Sequence, residues 1–217
     1  IGAAGLGRPD WLLPLVTLFS LLVLLEGLYF YAQGHFPENT GLTCMALVYL
    51  GLPFAHFILL RELSGPFHTS PGWGTVSLGE ALLWTVMFAT WASDTFAYFG
   101  GRAFGKTKLL PRVSPKKTRE GAVSGLVGGM VGMILFRIVF FLCTEVQLHI
   151  GWCVALGFVG AVMGQLGDLS FSCVKRQCGI KDYGRLLPGH GGVLDRFDSV
   201  IFAAPVTWML VNTATLY

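Results

Sequence analysis

Six apolar stretches, each about as long as a bilayer-crossing helix, dominate this 217-residue chain. A hydrocarbon core about 30 Å thick requires about 20 consecutive apolar residues in a helix. The stretches that meet this length are residues 11–33, 42–60, 80–100, 122–142, 150–173 and 199–217. Because backbone polar groups in lipid must be satisfied within the segment, helices are the structure that such stretches adopt. The sequence therefore predicts an all-α fold, a polytopic transmembrane helical bundle with about six spans.

The composition agrees with lipid as the solvent of this chain. Hydrophobic residues make up 53% of it and charged residues only 12%, a balance unlike that of a soluble domain. Five cysteines show no CxxC pair and no metal-binding spacing with histidine; they are Cys44, Cys143, Cys153, Cys173 and Cys178. We predict free thiols in apolar surroundings. Pairing of Cys143 with Cys153 across one short loop stays open, because it depends on the compartment that the loop faces.

Lysine and arginine are concentrated in two connections between spans. Seven lie between the third and fourth spans: Arg102, Lys106, Lys108, Arg112, Lys116, Lys117 and Arg119. Five lie beside the fifth and sixth spans: Lys175, Arg176, Lys181, Arg185 and Arg196. Since cytoplasmic loops carry an excess of Lys and Arg, both loops are predicted to face the cytoplasm, with a polar cavity open to that side. Such loops attract anionic headgroups and phosphates, so membrane lipids and not nucleic acid are the expected partners.

Glycines four residues apart mark spans four and five. They are Gly121, Gly125 and Gly129, then Gly128 and Gly132, then Gly160 and Gly164. This spacing lets helix backbones touch. The sequence leaves open whether the contact forms within one chain or across a homodimer.

The segment GGRAFGKT, residues 100–107, satisfies the P-loop pattern GxxxxGK[ST]. A P-loop needs a strand before it and a helix directly after it. Here an apolar span precedes the segment, and KLLPRVSP with two prolines follows. We therefore interpret it as a basic turn at the membrane surface.

The segment SPKKTREG, residues 114–121, is the second charged stretch of the same loop. Ser114 followed by Pro115 is typical of a helix N-cap and first turn. The free N–H groups of such a helix start, beside Lys116 and Lys117, would form a cradle for an anion. The alternative is a basic cluster that touches lipid headgroups, and this segment alone does not separate the two.

Asp168 ends the apolar run GFVGAVMGQLGD of span five. A carboxylate at mid-bilayer depth costs about 2.5–3.5 kcal/mol, so Asp168 is expected to face a cavity or a partner. Ser172 lies one turn further along the same helix face. Lys175 and Arg176 follow at the cytoplasmic end of that helix.

Asp195 and Asp198 are three residues apart and share one face if span six begins as a helix before them. With Asp168 they offer three carboxylates and no cysteine, a set that suits a hard cation such as Mg²⁺. The alternative is salt bridging with Arg185 or Arg196.

Between these acidic residues, PGHGG at 188–192 cannot form regular helix, and irregular backbone at membrane depth lines a polar cavity. Its glycines permit close approach of a ligand. His190 either donates a hydrogen bond to a phosphate or carries a proton, or it is a structural residue. Asp94, near the cytoplasmic end of span three, either lines the cavity or caps the basic loop.

The segment SCVKRQCGIKDYGRLLPGHGGVLDRFD, from Ser172 to Asp198, resembles the signature of the phosphatidate cytidylyltransferase family, also called the CDP-diacylglycerol synthases. That signature is a Ser, then Lys-Arg, Lys-Asp, His-Gly-Gly and Asp-Arg-x-Asp at fixed spacing. The matching positions are Ser172, Lys175, Arg176, Lys181, Asp182, Gly184, Pro188, His190, Gly191, Gly192, Asp195, Arg196 and Asp198. Residues 91–121 are similar to the family's other cytoplasmic stretch. One departure is Phe171, where many relatives carry an acidic residue.

The resemblance is strong from residue 80 onward and implies how the chain is organised. Residues 80–217 are expected to be a catalytic transmembrane region with two basic cytoplasmic loops. Residues 1–79 are expected to be N-terminal transmembrane helices, truncated because family members usually carry more of them. Compact loops favour the bacterial inner membrane, with the active site facing the cytoplasm; an organellar or endoplasmic-reticulum membrane is the alternative.

The reaction implied by the resemblance is CTP plus phosphatidic acid giving CDP-diacylglycerol and pyrophosphate, with Mg²⁺ as cofactor and room for a second cation. The implied metal ligands are Asp168, Asp195 and Asp198. The implied catalytic set adds Lys175, Arg176 and His190 to these three. The implied substrate-binding residues are Asp94, Ser114, Lys116, Lys117, Thr118, Ser172, Lys181, Asp182, Gly191, Gly192 and Arg196.

Two alternatives to this function stay open. A CTP-dependent enzyme acting on another lipid, of the CDP-archaeol synthase or polyprenol kinase type, would use similar chemistry. An ion carrier would line its path with Asp168, Glu26, His56 and Arg137. Against the carrier, the charges cluster at one interface and do not thread the membrane.

Overall fold

The computed structural model describes residues 38–63, 66–67, 76–144, 147–184 and 191–214, together with residues 18, 21–23, 25 and 27. Its main helices are α1 (Glu38–Ala46), α2 (Leu52–Arg61), α3 (Leu78–Phe104), α4 (Arg119–Thr144), α5 (Ile150–Gln177) and α6 (Leu194–Ala214). A π-helical turn, Leu47–Gly51, joins α1 to α2. The predicted spans 42–60, 80–100, 122–142 and 150–173 all lie within these helices, and 199–217 overlaps α6. The predicted span 11–33 lies mostly outside the described residues.

Three of the described helical stretches are long and apolar enough to cross a membrane: Thr43–Arg61, Arg119–Thr144 and Ile150–Gln177. The prediction of a largely helical membrane protein is thus supported by length and composition. Helices α3 and α6 follow their predicted spans but carry more polar residues, among them Asp94 and Asp198. The number of six spans stays a prediction.

Two short antiparallel ribbons make the all-α prediction incomplete. Strand β1 (Pro66–Phe67) pairs with β2 (Val76–Ser77), and β3 (Lys108–Leu110) pairs with β4 (Ser114–Thr118). In the second ribbon Lys108 lies opposite Thr118 and Leu110 opposite Ser114. This β3–β4 hairpin is formed by the basic loop between α3 and α4, and it ends where α4 begins.

Two further expectations, on the P-loop-like segment and on the cysteines, hold. Residues 100–104 of the P-loop-like segment are the last turns of α3, so this segment has no strand before it and is not a P-loop. All five cysteines are free, including Cys143 and Cys153. The prediction of free thiols is therefore confirmed in this structure.

The glycines of α4 form its contacts with α3 and α5, as their spacing predicted. A Cβ added at Gly125 would lie 3.0 Å from the Ser93 carbonyl oxygen of α3. One added at Gly129 would lie 2.6 Å from the Gly157 carbonyl oxygen of α5. The three helices therefore meet backbone to backbone within one chain, and this close packing holds the helix ends that carry the charged residues.

Gly129→Ala is expected to destabilise the protein by about 1–3 kcal/mol, because the new methyl group overpacks a contact that has no room to relax. Its Cβ would also lie 2.6 Å from the Cβ of Ala161. Thermal unfolding in detergent measures the change. Gly41→Ala is the matched control, since a Cβ at Gly41 meets no atom within 4 Å; equal melting temperatures for the two variants would contradict this packing.

Helix α6 closes the bundle against α2 and α3. Its buried residues Val200, Ala203 and Ala204 pack with Leu60 of α2 and Val86 of α3. This contact fixes the start of α6, and with it the positions of Asp195 and Asp198.

Candidate active site

A cavity of about 370 Å³ lies where α3, α4, α5 and the β3–β4 hairpin meet. Five charged residues line it: Asp94, Arg102, Lys116, Lys117 and Asp168. Thr118 also lines it, so the structure brings together Asp94, Lys116, Lys117, Thr118 and Asp168 from the predicted site. Of the two interpretations of Asp94, lining a cavity is the one observed.

Asp168 lies in this cavity on α5 and pairs with a cation from the hairpin. The Nζ atom of Lys117 forms an ion pair with Asp168 Oδ2. The hydroxyl of Ser172, one turn further along α5, lies 3.3 Å from Asp168 Oδ1. The predicted shared face of Asp168 and Ser172 is confirmed, and Asp168 links the hairpin to α5.

A second charged cluster surrounds Lys175 in the last turn of α5. Its Nζ lies 2.8 Å from Asp195 Oδ1 and 3.9 Å from Asp198 Oδ2. Its side chain is only 10% exposed, and Nζ lies 5.3 Å from the centroid of the Tyr183 ring. Asp195 and Asp198 do share a face of α6, as predicted. Lys175 is a cation that pairs with both. The salt-bridging alternative had named Arg185, which lies outside the described residues, or Arg196.

Asp195 also binds backbone groups on both sides of the undescribed residues 185–190. The backbone N–H groups of Tyr183 and Gly192 donate to Asp195 Oδ2 at 2.8 and 2.9 Å. Gly191 has a φ of 80° and its missing Cβ leaves room for the Asp195 carboxylate, which a side chain would occupy. Gly191 thus permits close approach of a carboxylate of the same chain, and close approach of a ligand stays a prediction.

Tyr183 fastens the residues after α5 to that helix. Burial, together with the negative charge of nearby groups, raises the pKa of Tyr183 to about 12. The hydroxyl therefore stays protonated at neutral pH and donates to the Phe171 carbonyl at 3.0 Å. This bond places the Tyr183 ring beside Lys175.

Ser199 joins the two charged clusters. Its hydroxyl lies 3.3 Å from Asp94 Oδ2 and 3.4 Å from Asp198 Oδ1. Asp94, Asp168 and Asp198 are near enough for their charges to interact. The cavity and the Lys175 cluster are therefore one continuous polar region, built from residues that lie up to 105 positions apart.

The predicted N-cap at Ser114 is wrong. Residues 114–118 form strand β4, and α4 begins at Arg119. The Thr118 hydroxyl accepts the Gly121 N–H at 3.1 Å, which is the role of an N-cap. A serine followed by proline suits a helix start, but proline at 115 is equally compatible with an edge strand, and pairing with β3 decides between them. Lys116 and Lys117 consequently reach the cavity from a strand.

Glu120 fixes the turn that precedes the hairpin. Its carboxylate accepts the backbone N–H groups of Lys106 at 3.1 Å and Thr107 at 3.2 Å. Arg176 acts in a similar way from α5: its guanidinium donates to the carbonyls of Val113 at 3.3 Å and Ile180 at 3.2 Å. The hairpin is thus held at both of its ends.

Other predicted residues lie outside the cavity lining. Lys181 and Asp182 are exposed in the loop after α5, and Arg196 is exposed in the first turn of α6. His190 lies outside the described residues. Their roles stay predictions.

Three polar residues of the site were not predicted: Arg102, Gln165 and Ser199. Arg102 lies two turns after Asp94 on α3, a relation that appears only once α3 is known to extend to Phe104. Gln165 donates to the Ala122 carbonyl at 3.0 Å and to the Ser93 hydroxyl at 3.3 Å. As a polar residue in an apolar span one turn before Asp168, it could have been found by the reasoning that selected Asp168.

The predicted metal ligands lie beside ammonium groups. Among the described residues, no three His, Cys, Asp or Glu side chains come together as a group that could hold a metal ion. Lys117 pairs with Asp168, and Lys175 lies between Asp195 and Asp198. The donors are hard oxygen atoms, which fit Mg²⁺ chemically, and each already faces a positive charge.

Known proteins are similar in sequence to this chain over most of its length. The model of the cytidylyltransferase family matches residues 4–214. A Bacillus subtilis (strain 168) protein named phosphatidate cytidylyltransferase is 33% identical over 196 residues, which are 90% of this chain and 67% of that protein. A Rickettsia typhi protein of the same name is 34% identical over 88% of this chain and 79% of its own length. One from Thermotoga maritima is 41% identical over 61% of this chain and 49% of its own length. The family match covers almost the whole chain and includes every charged residue of the polar region. This chain therefore belongs to the cytidylyltransferase family.

Proposed function

We propose that this protein makes CDP-diacylglycerol and pyrophosphate from CTP and phosphatidic acid. The observation that carries the proposal is the Asp94–Ser199–Asp198 link, through which two basic segments and four carboxylates (Asp94, Asp168, Asp195 and Asp198) face one polar region. The relatives named phosphatidate cytidylyltransferase support the same activity. A polyanionic nucleotide and a lipid phosphate both need such positive charge at a membrane surface.

The reaction is a substitution at the α-phosphorus of CTP. An oxygen of the lipid phosphate forms the new P–O bond, and pyrophosphate leaves with the electrons of the broken bond. No general base is required, because the attacking phosphate oxygen is already ionised at neutral pH. Positioning and neutralisation of charge therefore supply most of the catalysis.

The positions of the basic residues indicate which phosphate groups they bind. We assign Lys116 and Lys117 of β4, with Lys175, Arg176 and Lys181, to the triphosphate and the departing pyrophosphate. Because Lys117 and Lys175 are paired with carboxylates, they also hold the acidic residues in place before substrate binds. The remaining assigned substrate-binding residues are Ser114, Thr118, Ser172, Asp182, Gly191, Gly192, Arg196 and Asp94.

We propose Mg²⁺ as the cofactor, held by Asp168, Asp195 and Asp198. Each of these carboxylates faces a lysine ammonium group, so loading requires Lys117 and Lys175 to move toward the phosphates. When bound, the cation would neutralise charge on the reacting phosphates. The oxygen donors and the like charges of Asp168 and Asp198 support this assignment.

We further propose that the chain crosses the bacterial inner membrane six times, with the polar region open to the cytoplasm. The three apolar helices and the two basic segments support this orientation. Acyl chains then stay among the helices while the lipid phosphate reaches the cavity.

A pyrophosphate-release assay with purified protein in detergent micelles tests the function. We expect release from CTP that requires phosphatidic acid and stops when EDTA removes divalent cations, and that returns with added Mg²⁺. Faster release with archaeol-based or polyprenol acceptors would identify the other lipid-acting enzyme. Ion flux through proteoliposomes without pyrophosphate release would establish the carrier instead.

A further inference from the structure

Two of the three cations that line the cavity have side chains without a partner among the described residues. Lys117 is paired with Asp168. In contrast, the side chains of Arg102 and Lys116 form no hydrogen bond or ion pair with any described residue, although both line the cavity. An unpaired cation facing a polar cavity is available for an anionic ligand.

Arg102 lies where an amphiphilic ligand would enter. It is in the last turn of α3, one turn after Tyr98, which also lines the cavity. Tyr98 is 62% exposed, and the nearby Phe99 and Phe104 are 61% and 69% exposed. Aromatic residues exposed in this way at the end of a membrane helix are typical of the headgroup level of a bilayer. With α3 crossing the membrane as proposed above, Tyr98 and the neighbouring Arg102 lie near the headgroup level.

The walls of the cavity suit the same kind of ligand. Ala97, Leu109, Ala122 and Leu169 line it between the charged residues. Apolar walls next to a cation fit a molecule with a hydrocarbon body and an anionic head. Lys116 approaches from the β3–β4 hairpin, a different element from the aromatic helix end, so the two unpaired cations face the cavity from separate sides.

We propose that Arg102 binds the phosphate monoester of the lipid substrate, while Lys116 binds the nucleotide. This assignment rests on the proposed function, because it divides the two substrates between two walls of one cavity. The planar guanidinium of Arg102 can hold two phosphate oxygens through two parallel N–H donors, a fork geometry that a lysine ammonium group lacks. Arg102 thus selects a terminal phosphate over a neutral diacylglycerol head.

Steady-state kinetics with each substrate varied separately test this division. Arg102→Ala is expected to raise the KM for phosphatidic acid about tenfold to a hundredfold, the range for loss of charge-assisted hydrogen bonds, and to leave the KM for CTP unchanged. Lys116→Ala is expected to do the reverse. Arg102→Lys should recover only part of the loss. Arg112→Ala removes an exposed arginine outside the cavity lining and should change neither constant.

A binding measurement keeps this inference separate from the proposed reaction. Quenching of tryptophan fluorescence by soluble dioctanoyl phosphatidic acid and by dioctanoylglycerol gives dissociation constants without turnover. We expect Arg102→Ala to weaken binding of the phosphatidic acid only. If the KM for CTP rises instead, or if Arg102→Ala matches Arg112→Ala in both experiments, the inference is wrong while the proposed function stands. If the wild-type protein releases no pyrophosphate, the proposed function fails and the binding result alone decides the role of Arg102.

Discussion

Asp195→Asn is expected to lower the rate of pyrophosphate release on the order of a thousandfold, comparable with loss of a key electrostatic group in other enzymes. Asparagine keeps one oxygen that can accept the Tyr183 and Gly192 N–H groups, so the loop after α5 retains its anchor. The amide nitrogen, however, replaces the oxygen that faces Lys175 at 2.8 Å. The variant therefore loses a negative charge where the proposal requires one.

The measurement is kcat at saturating CTP and phosphatidic acid, with circular dichroism to establish that the helices are intact. Glu62→Gln is the control: it also removes one carboxylate, from the exposed end of α2, and should leave kcat unchanged. Turnover of Asp195→Asn within a few fold of wild type would exclude Asp195 as an essential ligand and leave it as an anchor of the loop.

Lys175→Met is expected to destabilise the protein by about 3–5 kcal/mol, because removal of one partner of a buried ion pair leaves uncompensated charge. The Lys175, Asp195 and Asp198 side chains are each 10% exposed or less. Methionine preserves the length and most of the packing of lysine, so the loss reports on the charge. Thermal unfolding in detergent measures it.

Lys116→Met provides the comparison, since Lys116 is exposed and forms no ion pair with any residue in the described part of the chain. It should change stability by less than about 0.5 kcal/mol. The double variant Lys175→Met with Asp195→Asn should recover part of the lost stability, because one of the two unpaired carboxylates is then neutral. Equal stabilities of Lys175→Met and Lys116→Met would show that the ion pair contributes nothing to the fold.

Periodicity predicted the relations within each helix. Asp168 with Ser172, Asp195 with Asp198, and the glycines of α4 all follow from residues three or four apart sharing a face, and the structure places them so. A carboxylate at mid-membrane depth was also expected to face a cavity or a partner. Asp168 lines the cavity and pairs with Lys117. These inferences succeed because they need only the geometry of one helix.

Relations between elements could not be read in the same way. Asp195 and Asp198 pair with Lys175, 20 positions before Asp195, whereas the sequence favoured a cation site, with Arg185 or Arg196 only as the salt-bridging alternative. Ser199 meets Asp94 only because α6 packs on α3. The helix start predicted at Ser114 became a strand since pairing with β3 outweighs a local capping preference. Such contacts depend on how distant segments pack, which a single sequence does not state.

The contact between Ser199 and Asp94 also determines at which point of synthesis the polar region can form. Synthesis from the ribosome delivers Asp94 first, and the bundle of α3, α4 and α5 can assemble before Ser199 has emerged. Until α6 docks, Asp94 and Asp168 have no Asp198 beside them and Lys175 lacks both of its acidic partners. The polar region is therefore complete only once α6 has been inserted and packed on α3.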